Sequence, residues 1–195
     1  MPFLGLKTSL THILSKPELK EGVHKYLVIK DRFERLFTIT DSAYANKGLL
    51  KDQILKDLFC EFYRLGGLGY PQSSVDTFFK EFDKLIKEYR RTKIVPLYEE
   101  VLTKLYSVNN HREVVFATKI LHSFDNNLPI YDSVAGLKHF GISRESFDFE
   151  NYKNEINSFM ETPLGQSIIT RFDAAFPNSG ISDTKKIDFV LWQDR

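Results

Sequence analysis

Residues 112–133 read REVVFATKILHSFDNNLPIYDS. Val114, Val115, Phe116, Ala117, Ile120, Leu121 and Phe124 cover nearly every direction around a helical axis, the pattern of a helix buried on all sides. The polar remainder, Thr118, Lys119, His122 and Ser123, falls on one narrow stripe, because positions three and four apart are neighbours on a helix. Asp125-Asn126-Asn127 then makes a turn, and Pro129, Ile130 and Tyr131 lead to Asp132 and Ser133 at the start of a further helix, which ends at Gly141.

Working outward, the spacing stays helical. Leu19, Val23, Tyr26, Leu27, Phe33 and Phe37 mark one helix between Pro17 and Phe37. Asp41 or Ser42 opens a short connection that closes at Gly48. Leu50, Ile54, Leu58, Phe62 and Leu65 predict a helix over 49–65, stopped by Gly66-Gly67. Ser73 or Ser74 would cap the next, which carries Phe78, Phe82, Leu85 and Tyr89 on one face. Pro96 suits the first turn of another, and Asn109-Asn110 makes a turn before the central helix. Further helices are expected over 145–161, 163–176 and 184–193, with a turn at Pro177-Asn178-Ser179-Gly180. No run alternates as a strand does. The expectation is an all-α, compact multi-helix domain of about eight helices spanning 1–195, with its weakest point, a lobe boundary, near 66–72.

The 195 residues suffice for a real core, and 17 Phe and 9 Tyr make that core aromatic. A single cysteine, Cys60, excludes an intrachain disulfide and a thiolate metal cluster, and a cytoplasmic setting is expected. No signal peptide and no membrane span is read from the sequence. His12, His24, His111, His122 and His139 show no ligand spacing, so neither metal nor cofactor is expected. Gly66-Gly67-Leu68-Gly69 lacks the flanking strand and the Lys-Ser/Thr of a phosphate loop. The net charge of +1 gives no general affinity for nucleic acid, so DNA contact would need a local patch.

That patch is the helix face carrying Lys80, Lys84, Lys87, Arg90, Arg91 and Lys93; it is either a phosphate-contact surface or a solvated helix face. By contrast, residues 145–161 hold five acids and one lysine, a net of −4, so the surface charge is expected to be polar. In the central helix, burial would make the Lys119 amine easier to deprotonate, and a neutral amine attacks an aldehyde-like carbon. Asp132 has two available roles, capping a helix or standing beside developing positive charge. In the blander alternative Asp132 only caps, while Lys119 snorkels to solvent or pairs with it. On the last helix, Lys185 and Asp188 have the spacing of an intrahelical pair, and Trp192 that of a packing residue.

Lys119 on its helix, followed by Pro129-Ile130-Tyr131-Asp132-Ser133, resembles the catalytic region of the helix-hairpin-helix DNA glycosylase superfamily. The segment is also similar to uncharacterised bacterial proteins with a Lys-x-Leu-His-Phe … Pro-Ile-x-Asp-Ser signature, which end in a Lys-x-Asp-x-x-Leu-Trp helix like that from Lys185 to Trp192. The resemblance covers about a third of the chain. It implies a glycosylase-related fold, Lys119 as nucleophile toward a sugar carbon, Asp132 as its steering carboxylate, and a flipped base in a pocket lined by His122, Tyr131 and Ser133. Two departures stand beside it. Asn109-Asn110-His111 occupies the place of the family's glycine hairpin, and the Lys119-to-Asp132 spacing of thirteen residues is shorter than the family's. The alternative expectation is a non-catalytic helical domain that binds a protein or nucleic-acid partner.

Overall fold

In the computed structural model, the described residues are 10–65, 72–109 and 113–194. They form eleven α-helices and one 3-10 turn, with no strand among the described residues. The helices are α1 (Leu10–Ser15), α2 (Pro17–Thr38), α3 (Asp41–Lys47), α4 (Gln53–Tyr63), α5 (Gln72–Thr92), α6 (Tyr98–Asn109), α7 (Val114–Phe124), α8 (Ser133–Phe140), α9 (Phe149–Glu161), α10 (Pro163–Ala175) and α11 (Asp183–Gln193). No helix among these residues is long and apolar enough to cross a membrane. The chain separates into two units, Met1–Val23 with Val114–Arg195, and His24–Glu113.

Eleven helices exceed the expected eight or so, and the reasons are local. The connection expected from Asp41 to Gly48 is α3, because the Thr40 hydroxyl accepts the Ala43 N–H and caps a stretch that has no long apolar stripe. The helix expected over 49–65 is broken into a 3-10 turn (Leu49–Lys51) and α4. Asp52 makes the break: its carboxylate caps α4 at Leu55 N–H, 2.9 Å, while holding Arg32 at 2.8 and 2.9 Å. α5 starts at Gln72, so Ser73 and Ser74 sit inside it, and α6 starts at Tyr98, two residues beyond Pro96. The glycine segment and boundary expected near 66–72 lie, up to residue 71, outside the described residues, as does Asn110 of the expected turn, while Asn109 is the last residue of α6.

The unit His24–Glu113 is built on aromatic packing. Phe33, Phe59, Phe78, Phe79 and Phe82 are all buried. Phe59 lies 5.7 Å from Phe82 and 4.6 Å from Tyr63 between ring centroids, in the tilted arrangements that aromatic quadrupoles favour. A polar contact also lies in this interior. The Tyr44 hydroxyl donates to Asp83 at 2.7 Å, and Lys87 pairs with the same carboxylate at 2.7 Å.

In the other unit α9, α10 and α11 pack on one another, α1 packs on α10 and α11, and α8 packs on α11. α9 turns Phe149, Tyr152, Ile156 and Phe159 inward and leaves Glu150 and Glu161 exposed, which is the acidic outer face expected from its composition. Thr162 serves both neighbours: it ends α9 and its hydroxyl caps α10 at Gly165 N–H, with Pro163 in the first turn. Truncating the ring at the centre of the aromatic unit, Phe59→Ala, is expected to lower stability by about 3–5 kcal/mol, read as a fall in the denaturation midpoint.

Candidate functional site

The expected site residues fall on α7, on the segment 125–132 that follows it, and on α8. That segment has no regular structure of its own, so its backbone groups need partners from elsewhere. Buried side chains supply them. The Asn126 carbonyl accepts from Ser182, the N-cap of α11. The Leu128 carbonyl is bonded by His122 Nδ1 of α7 at 2.7 Å. The Ile130 carbonyl accepts from the Tyr152 hydroxyl of α9 at 3.2 Å. The Tyr131 N–H donates to Thr118 Oγ1 at 3.0 Å, and the Thr118 hydroxyl donates in turn to the Val115 carbonyl at 2.9 Å. Thr118 and Tyr131 are therefore hydrogen-bonded neighbours, and Lys119 and Asp132 are each one residue further on.

Lys119 is 8% exposed and its ammonium lies 4.7 Å from the centre of the Phe116 ring, so it does not snorkel fully into water. Asp132 is the N-cap of α8, with Oδ1 accepting from Val134 N–H at 3.1 Å and Ala135 N–H at 3.0 Å. Ser133 is the first residue of that helix and is exposed. Tyr131 is fully buried and donates its hydroxyl to the Ile142 carbonyl at 3.0 Å. Its ring lies against Gly136, where a β-carbon would overlap the ring, so α8 reaches this position only with glycine there.

His122 is buried, and burial, with the Lys185 charge adding to it, pushes its pKa down to about 3. The ring is therefore neutral near pH 7, and a neutral imidazole bonding a carbonyl through Nδ1 carries its proton there. His122 holds the turn as a neutral ring with its one proton on Nδ1.

α11 adds charges whose place in this cluster the sequence does not show. Lys185 is 2% exposed, pairs with Asp188 at 2.6 Å and lies 4.6 Å from the centre of the Phe189 ring. Burial lowers its pKa against the opposing pull of Asp188. Tyr152, never singled out by spacing, is pushed well above the ordinary phenol range by burial first, and then by the charges of Asp188 and Asp132. Lys119, His122, Asp132, Tyr152, Lys185 and Asp188 thus come from α7, α8's cap, α9 and α11 of one unit. The one sequence signal for the α11 half is the i, i+3 spacing of Lys185 and Asp188.

The basic face lies on α5, in the other unit, and most of its cations have partners. Lys84 pairs with Glu81 at 2.6 Å, Lys87 with Asp83 at 2.7 Å and Arg91 with Glu88 at 3.8 Å. Arg90 donates to the Leu36 and Ile39 carbonyls at the end of α2 and pairs with Asp41. Lys93, beyond the helix, reaches the Phe37 carbonyl at 3.3 Å, and Lys80 is exposed. Arg90 is thus a structural cap, while Lys80, Lys84, Lys87, Arg91 and Lys93 remain on the surface.

No protein-family model matches this chain, and no match is found among curated proteins or solved structures. Function is therefore argued from the side chains of the site. Among the described residues no group of three His, Cys, Asp or Glu side chains could hold a metal ion.

Two outcomes are expected at this site. Gly136→Ala should cost about 1–3 kcal/mol in chemical denaturation, because the buried Tyr131 ring has to leave its place. Acid should also destabilise the protein through His122. Its folded value of about 3 lies below the ordinary 6.5, so the unfolded chain takes the proton first. The stabilisation is complete above 6.5 and is lost as pH falls toward 3, at about 1.4 kcal/mol per pH unit in that window. His122→Asn, which keeps a donor for Leu128 but does not titrate, should flatten that part of the stability–pH curve.

Proposed function

We propose that this chain is a DNA-binding protein that acts at damaged or abasic sugars, a diverged relative of the DNA glycosylase scaffold with Lys119 as amine nucleophile and Asp132 as the carboxylate that steers it. One observation carries this reading. Lys119 as a residue is kept at 8% exposure on an apolar helix, next to the Thr118–Tyr131 bond that leads to a carboxylate at a helix start. Buried charges are costly, and an unspecialised helical scaffold has no need of them here. The chemistry follows from the groups. The deprotonated Nζ adds to the aldehyde carbon of a ring-opened abasic sugar, water leaves, and the imine makes the adjacent carbon acidic enough for the 3′ phosphate to be eliminated. The surface cations Lys80, Lys84, Lys87, Arg91 and Lys93 are the phosphate contacts of this reading.

A second reading, a non-catalytic helical domain that binds a protein or nucleic-acid partner, is favoured by a different observation. Asp132 Oδ1 is engaged by two backbone N–H groups, His122 is engaged by Leu128, and α5 carries its own counter-charges. Borohydride trapping on duplex DNA with an abasic site separates the two. A covalent adduct, lost in Lys119→Ala, is the expected result. Absence of both adduct and base release, with binding retained only to a protein partner, would leave the second reading standing.

A further inference from the structure

We propose that Lys138, His139 and Asp194 form an acid-operated switch between the ends of α8 and α11, in which a protonated His139 takes the Asp194 carboxylate from Lys138. The amine chemistry proposed above plays no part in it. α8 packs on α11, and the three residues meet where both helices end. Lys138 and His139 stand in the last turn of α8, and Asp194 is the C-cap of α11. Lys138 Nζ holds Asp194 twice, donating to its backbone carbonyl and to Oδ2 at 3.0 Å. His139 Nε2 lies 3.8 Å from the same Oδ2, beyond hydrogen-bond reach. That nitrogen is buried and has no hydrogen-bond partner, a condition that a folded interior rarely tolerates. The backbone hydrogen bond at Leu191 therefore falls to the other ring nitrogen. In the neutral ring Nδ1 then carries the proton, and Nε2 presents a lone pair to the carboxylate.

A proton from solvent on Nε2 turns this empty contact into a charge-assisted hydrogen bond, once the gap closes by about 1 Å. Two cations on one buried carboxylate would leave net positive charge in the interior, which is costly. Exposure decides which cation leaves. The side chains of His139 and Asp194 are each 3% exposed, whereas that of Lys138 is 38% exposed and can turn into water. Lys16, the other cation at this end of α11, donates to the Gln193 carbonyl at 3.1 Å and so is held on the backbone. Burial does most to lower the pKa of His139; Asp194 pulls it up, Lys138 lowers it again, and the Leu191 bond raises it. The net direction is below the ordinary 6.5, so the unfolded chain takes the proton first. Stability from the neutral ring is complete above 6.5 and is lost as pH falls through the folded value, and the exchange of partners belongs to that acid side.

The test is a pH titration of the full chain by NMR, following the ring nitrogens of His139 and the side-chain signals of Lys138, with circular dichroism over the same range to show that the helices persist. In the unsubstituted protein His139 Nε2 is expected to take a proton below pH 6.5, and the Lys138 signals to move with the same midpoint, so the result does not depend on a variant folding. Lys138→Gln removes the competing cation and should raise the His139 midpoint by about one pH unit; Asp194→Asn removes the anion and should lower it by about as much. Titration of His139 with the Lys138 signals unmoved would overturn the exchange. A ring that takes no proton while the chain stays folded, or a midpoint unchanged in either variant, would overturn the switch.

Discussion

The unit that holds the site depends on how seven residues of irregular backbone, buried from Pro129 to Tyr131, are anchored between helices. Between Asn126 and Asp132 the chain has no helix or strand in which to satisfy its own polar groups. A buried carbonyl or N–H without a partner costs on the order of 1–3 kcal/mol. Ser182, His122, Tyr152 and Thr118 each take one such group, from three different helices. Once these bonds are made, the direction of the chain into α8 is determined, and Asp132 arrives where it caps that helix.

This clamp also explains why the polar stripe of α7 exists on a helix otherwise made for a core. Thr118 and His122 are there to bond the following segment, and Ser123 returns its hydroxyl to the Lys119 carbonyl. Lys119 is the member of the stripe whose burial the clamp does not account for. The same holds on α11, where Ser182 serves the clamp and the charge of Lys185 has its counterpart in Asp188. Groups that serve the clamp and groups that do not are interleaved along both helices, so neither helix can be classed as a whole.

Much of the helical order was legible in the sequence because it rests on period and punctuation. The bounds of α2, α8, α10 and α11 follow the apolar spacing, Pro17, Asp132, Gly141, Pro163 and Ser182 closely. α3 was not legible, since a seven-residue helix carries too few apolar positions to show a period, and its signal is the single hydroxyl of Thr40. The break before α4 was hidden by apolar spacing that continues across it, while Asp52 alone decides it. At the site, the burial of Lys119 and the cap at Asp132 could be read from the pattern. The approach of Tyr152 and of Lys185 could not, because both depend on contacts between helices far apart in the chain.

Three of the four partners of the clamp stand 13, 22 and 56 residues from the groups they bind, and only His122 is near, at six. Closing such spans costs chain entropy before any bond repays it. The segment can therefore settle only after α7, α9 and α11 have come together, whereas each of those helices forms through neighbours in sequence. Once settled it is anchored by its own apolar side chains, for Ile130 is buried and the Tyr131 ring is fully buried 4.3 Å from Phe147 and 5.3 Å from Tyr152. The 126–131 segment is thus a keystone: it is set late, between helices that formed without it, and its buried ring then locks them together.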